Sequence, residues 1–201
     1  MAGVAPIRLI PLKDEHIARY LPFSHDPVLI ATMGWQPFAP GEIERFRQYV
    51  ENLTVPNMIG GCTIAFSIVA NETGAPIGYL SLKGVRDNGP GAEVGIAIMD
   101  QSYRGRGLGT EALRQAADYA FQELDISVLA LTVFTDNAPA IRSYEKLGFT
   151  RTELLMNSWT LPDGSLIDMW MMELYRPGNR LPSSRETQAS LRWSTHQAAS
   201  G

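Results

Sequence analysis

A single cysteine, Cys62, excludes an internal disulfide framework and any metal site built from several thiolates. Its setting in the apolar run Cys62-Thr63-Ile64-Ala65-Phe66, with no histidine nearby in sequence, points to a buried structural thiol rather than a nucleophile. Histidine is also scarce. His16, His25 and His196 share no metal-ligand spacing, so no metal is expected. Basic residues do not dominate either: 17 Lys and Arg against 21 Asp and Glu leave a net charge of −4, so no basic field recommends a nucleic-acid partner. No apolar run approaches the ~20 residues that a membrane-spanning helix needs. Met1-Ala2-Gly3-Val4-Ala5-Pro6 lacks the basic segment and apolar stretch of a secretory leader, so a cytoplasmic protein away from membranes is expected.

What the chain does have is apolar material for one core, 45% of 201 residues, and a clear change of pattern along its length. Ile7-Arg8-Leu9-Ile10-Pro11-Leu12 alternates as a first strand. Asp14 and Glu15 open a short helix that Pro22 closes, and Asp26-Pro27 opens another that Gly34-Trp35-Gln36-Pro37 breaks. Ile43, Phe46, Tyr49, Val50 and Leu53 recur at helical spacing. Cys62 to Val69 and Pro76 to Leu82 read as a hairpin joined by Asn71-Glu72-Thr73-Gly74. The turn formers Asp87-Asn88-Gly89-Pro90-Gly91 lead to a strand from Glu93 to Met99. A long helix follows, with Leu113, Ala116, Ala117, Ala120, Phe121 and Leu124 on one face. Val128 to Phe134 is apolar throughout, as in a strand covered on both faces. Pro139 to Leu147 is a short helix ended by Gly148, and two strands flank Pro162-Asp163-Gly164. Hairpins, then strand–helix–strand, then a hairpin make an α/β fold with a mixed sheet. Residues 1–175 form one domain in this reading; residues 176–201, rich in Pro, Gly, Ser, Arg and Gln, form a loosely ordered tail with Leu181, Leu191 and Trp193 as its only anchors.

Arg104-Gly105-Arg106-Gly107-Leu108-Gly109-Thr110 lies where a strand becomes the long helix. The first N–H groups of a helix have no partner inside it and sit at the positive end of its dipole, so this turn suits a phosphate or diphosphate. Glycines let the backbone approach an anion that a Cβ would block, and Arg104 and Arg106 add positive charge. Thr110 stands where the third glycine of a dinucleotide fingerprint would be, and the lysine of a P-loop is missing. A glycine-rich turn that merely packs strand on helix would require less than three alternating glycines and two arginines.

The segment resembles the coenzyme A loop of the GNAT superfamily of N-acyltransferases, Gln/Arg-x-x-Gly-x-Gly/Ala, at Arg104, Gly107 and Gly109. Asn137-Ala138-Pro139-Ala140-Ile141-Arg142-Ser143-Tyr144-Glu145-Lys146-Leu147-Gly148-Phe149 is similar to that family's second signature, Asn-x-x-Ala-x-x-x-Tyr-x-x-x-Gly-Phe. The start Ile7 to Leu12 and the segment Met33-Gly34-Trp35 are similar to the branch holding ribosomal-protein, polyamine and antibiotic acetyltransferases. The resemblance implies a mostly antiparallel central sheet flanked by helices and splayed between its fourth and fifth strands. It implies acetyl-CoA as acyl donor, held by the loop from Arg104 to Thr110 and by backbone at Ile96 and Ile98. Asn137 and Ala140 would line the cofactor path, Asn137 serving equally as a helix cap. Tyr144 would donate a proton to the departing thiolate, although an aromatic at helical spacing is also ordinary core. Glu93 is the candidate base for the attacking amine, or else a solvated charge at a strand end. Gly95 allows a bulge or a close backbone approach.

The acceptor implied is a small-molecule amine or a protein N-terminal amine, attacked directly in a ternary complex. A non-catalytic acyl-CoA sensor of the same fold is the alternative. A homodimer through the last strands is compatible with the pattern. Trp35, Phe38 and Trp159 are candidates for an acceptor pocket, with core packing as their other use.

Overall fold

The computed structural model describes residues 5–51, 62–85 and 91–178. Among the described residues seven strands form one sheet, β1 (Ile7–Pro11), β2 (Cys62–Ala70), β3 (Pro76–Val85), β4 (Gly91–Ile98), β5 (Val128–Phe134), β6 (Thr150–Thr160) and β7 (Leu166–Tyr175). Their order is β1-β2-β3-β4-β5-β7-β6. Every neighbouring pair is antiparallel except β4 and β5. Among the described residues five α-helices accompany it: α1 (Asp14–Tyr20), α2 (Pro27–Met33), α3 (Ile43–Glu51), α4 (Leu108–Gln122) and α5 (Ala138–Leu147).

Alternation along the strands sends neighbouring side chains to opposite faces of the sheet. On one face Leu80, Leu82, Val94, Leu129, Leu131 and Val133 pack under α4, whose Ala112, Leu113, Ala116 and Ala120 are all buried. Small alanines on that face let the helix lie close to the sheet. On the other face Tyr79 and Ala97 meet α1, α2 and α3, with Trp35, Phe38 and Phe46 in a buried aromatic cluster. Trp35 and Phe38 are therefore core. Ile43, expected on the buried stripe of α3, is exposed, whereas Phe46 and Val50 are fully buried; Leu53 lies outside the described residues.

The helix signals act where the sequence puts them. The Asp26 carboxylate accepts from the N–H groups of Val28 (2.8 Å) and Leu29 (3.3 Å), a cap worth about 1 kcal/mol. Gly34 ends α2 at φ 65, and Gly148 ends α5 at φ 98.

Two expectations are corrected. Cys62 is exposed, because it begins β2 with its Sγ against the Val85 carbonyl (3.4 Å) at the end of that ladder rather than within it. β4 begins two residues earlier than Glu93, so Glu93 lies inside the strand, between Lys83 of β3 and Ala130 of β5, and is buried. A solvated strand-end charge is thereby excluded.

Chain order continues past Tyr175. The Arg176 guanidinium donates to the Ile126 carbonyl (2.7 and 3.0 Å) and to Asp125 (2.9 Å). Residues 179–201, with Leu181, Leu191, Trp193 and His196, and residues 86–90 of the turn before β4, lie outside the described residues. Among the described residues no helix is long and apolar enough to cross a membrane, and no group of three or more His, Cys, Asp or Glu is placed to hold a metal.

Candidate active site

β4 and β5 run side by side for only three residues each, Gly91–Glu93 against Val128–Ala130, and then part. The β3–β4 register passes without a shift through Ser81↔Gly95 to Gly78↔Ile98, so Gly95 makes no bulge against β3. Beyond Glu93 the edge of β4 that would have faced β5 is left open, and a cavity of about 470 Å³ occupies the gap. Because the cavity passes between two strands, it is lined from both faces of the sheet.

On the α4 side the lining includes Ile96, Ile98, Gly107, Asn137, Ala140 and Tyr144. α4 begins at Leu108, with Gly107 as its N-cap at φ 77 and no side chain capping it. The first bond inside the helix runs from the Glu111 N–H to the Gly107 carbonyl (3.1 Å). The amides of Leu108, Gly109 and Thr110 precede it and have no helical partner, and all three residues line the cavity. A Cβ built on Gly105 or Gly107 meets nothing within 4 Å, so it is the left-handed backbone and not crowding that favours glycine there.

The two arginines of the loop differ. Arg104 turns back: its guanidinium donates to the carbonyls of Ile98 (2.8 Å) and Met99 (2.6 Å) and to Asp26 Oδ2 (3.0 Å). Its charge is shared with Asp26, and its role in this geometry is to fold the loop onto the end of β4. Arg106 lies at the surface, 3.1 Å from Glu72 and 5.2 Å over the Tyr103 ring, and does not line the cavity.

At the far end of the α4 side, Asn137 caps α5, accepting from the Ala140 N–H at 3.3 Å, and also lines the cavity. Tyr144 sits one face-turn further along. Its ring leans on Phe149 at 6.0 Å, and its hydroxyl has no hydrogen-bond partner among the described residues. Burial pushes that hydroxyl up to about 12, so it keeps its proton at any physiological pH.

On the opposite face the cavity is lined by Glu93, Thr132, Phe134, Met169 and Trp159, together with Val28, Thr32 and Met33 of α2 and Tyr49 of α3. Trp159 is held by its indole N–H, which donates to the Gly34 carbonyl at 3.2 Å. A Cβ on Gly34 would stand 2.2 Å from that indole nitrogen, so glycine is required here by both its φ and its close neighbour. Glu93 faces Lys83 across the β3–β4 ladder. Burial brings the Lys83 ammonium down to about 8, with the attraction of Glu93 working against that fall.

The structure thus brings Glu93, Ile96, Ile98, the loop residues Arg104, Gly105 and Gly107 to Thr110, Asn137, Ala140 and Tyr144 to one cavity, and leaves Arg106 outside it. Sequence reasoning missed Lys146, Thr132 and Met169 as lining residues. Lys146 stands inside the second signature and was legible there as a cation two residues past Tyr144; for Thr132 and Met169 only strand register carries the signal.

Residues 7–150 match the family model described as an acetyltransferase (GNAT) domain. The chain is 26% identical over 170 residues to the uncharacterized N-acetyltransferase p20 of Bacillus licheniformis, covering 85% of this chain and 92% of that one. It is 40% identical over 62 residues to the spermidine N(1)-acetyltransferase of Escherichia coli K12, a match covering 31% of this chain and 33% of that protein. The fold is also that of the spermidine N-acetyltransferase of Vibrio cholerae, solved in complex with CoA and spermine: TM-score 0.70 at 19% identity, covering 86% of this chain and 96% of the other.

Proposed function

The chain belongs to the GNAT acetyltransferase family, and from that premise we propose that it moves an acetyl group from acetyl-CoA to a primary amine by direct attack. The observation that carries this reading is the cavity in the strand splay, which runs from the bare amides at the start of α4 to the Tyr144 hydroxyl. The diphosphate of the donor binds the N–H groups of Leu108, Gly109 and Thr110, aided by the helix dipole. Gly107 keeps that approach clear. The pantetheine arm lies along the open edge of β4 and bonds backbone at Ile96 and Ile98; the Ile98 carbonyl already accepts from Arg104 and has a second lone pair to offer.

The amine reaches the thioester from the opposite face of the sheet. Its nitrogen forms the new C–N bond while the C–S bond breaks. Backbone N–H at the splay stabilises the carbonyl oxygen as it gains charge, an effect of about 3–4 kcal/mol when one such donor is lost. Glu93, directly or through water, receives the proton the amine must lose, since an alkylamine is mostly protonated at neutral pH. Tyr144 supplies a proton to the sulfur as it departs. The products are an N-acetylamine and coenzyme A.

The test is thiol release by the purified protein with acetyl-CoA and a panel of amines, alongside calorimetry with coenzyme A. Amine-dependent thiol release with micromolar or tighter coenzyme A binding is expected; absence of coenzyme A binding would refute the reading.

A further inference from the structure

The half of the cavity opposite α4 has a composition that selects among amines. Its walls are Val28, Met33, Tyr49, Phe134, Trp159 and Met169, with Thr32 and Thr132 as small polar breaks. Glu93 is the one carboxylate among all the described lining residues. Its cross-strand neighbour Lys83 shares that negative field. Arg104, the nearest guanidinium to line the cavity, is occupied by Asp26 and two carbonyls. Val28 carries the apolar character to the rim, where it is 56% exposed. The whole cavity is about 470 Å³, and part of it must take the pantetheine arm.

These features are matched by one kind of acceptor. A polyamine or an aminosugar carries several ammonium groups, and each buried charge requires a paired counter-charge. A single carboxylate serves one ammonium. A free amino acid brings its own carboxylate, which no cation among the described residues lining this half would meet. An apolar body, by contrast, gains from aromatic and thioether walls.

We infer that the acceptor is a small monoamine on an apolar, preferably aromatic, body without a carboxylate, seated between Trp159, Phe134 and Met169 with its amine at Glu93. This inference rests on the acetyl-transfer reading and names the substrate class of the same site. It sets this chain apart from the spermidine N(1)-acetyltransferase it partly matches.

The experiment compares kcat/KM of the full-length protein, at saturating acetyl-CoA, for phenethylamine, spermidine, kanamycin and L-phenylalanine. Calorimetry of acetyl-CoA binding runs in parallel. Phenethylamine is expected to lead each of the others by about tenfold or more, the scale on which apolar and unpaired polar contacts discriminate. Val28→Glu, at an exposed rim position near a helix start that tolerates a carboxylate, is expected to narrow the phenethylamine-to-spermidine ratio by about tenfold. Preference for spermidine, kanamycin or L-phenylalanine would overturn the inference, as would a ratio that Val28→Glu leaves unchanged. Bound acetyl-CoA with none of the four amines acetylated would overturn it too while leaving the donor site standing. No acetyl-CoA binding at all would remove both.

Discussion

Arg104 and Asp26, 78 positions apart, meet through a 3.0 Å bond from Nη1 to Oδ2. Asp26 simultaneously caps α2, and Arg104 simultaneously ties the Ile98 and Met99 carbonyls. The pair therefore joins the helix that walls the cavity opposite α4 to the loop that opens α4. Both side chains are largely covered, at 21% and 11% exposure, so solvent weakens the bond less than at the surface. A double-mutant cycle of Arg104→Gln and Asp26→Asn is expected to show a coupling of about 1–3 kcal/mol in denaturant unfolding. The single Arg104→Gln change should raise the KM for acetyl-CoA by loosening the loop. Additive single effects would show that the two elements are held together by other contacts.

Tyr144→Phe is expected to lower kcat by about 10²-fold or more while leaving acetyl-CoA affinity within about twofold, as befits loss of a proton donor. Since the hydroxyl is held up to about 12, its own ionisation lies far above the working range. The pH–rate profile below pH ~10 should consequently keep its shape in the Phe variant. Wild-type turnover in that variant would remove Tyr144 from the chemistry.

Gly107→Val places a β-branched residue at φ 77 beside the amides of the α4 start. Strain of about 1–3 kcal/mol and a blocked anion approach are expected together. Coenzyme A binding should vanish by calorimetry while circular dichroism reports a folded chain. Binding that survives unchanged would place the diphosphate elsewhere.

Lys83 makes stability depend on pH in a specific direction. Its ammonium is held near 8 in the fold against an ordinary 10.5, so between those values the unfolded chain binds a proton that the native chain does not. Native stability accordingly rises with pH through that window, and the full penalty is present below about 8. Urea unfolding of the wild type at pH ~7.5 and ~9.5 should show a gain of up to about 1.4 kcal/mol per pH unit relative to Lys83→Met. Equal pH dependence in the two proteins would assign the effect to other groups.

Local signals carried most of the element plan. Val128 to Phe134 was bounded by composition alone, and α2 runs between the Asp26 cap and the Gly34 stop because capping and left-handed termination are local events. The loop from Gly105 to Thr110 and the spacing of Asn137, Ala140 and Tyr144 were likewise legible, since helix periodicity alone puts those three on one face.

Long-range pairing decided the rest. Whether Glu93 is exposed depends on the start of β4 and on its neighbours Lys83 and Ala130, which come from strands distant in sequence. Arg104 lines the cavity, and only the fold brings Asp26 beside its guanidinium. Trp159 becomes a cavity wall only because the β6–β7 hairpin returns to Gly34, 125 residues earlier. Sequence thus determined which segments are strands, helices and an anion-ready turn, because hydrogen bonding and side-chain periodicity there are local. Only the tertiary structure settled which charges are spent on each other and which walls the cavity has, because those depend on where separate segments meet.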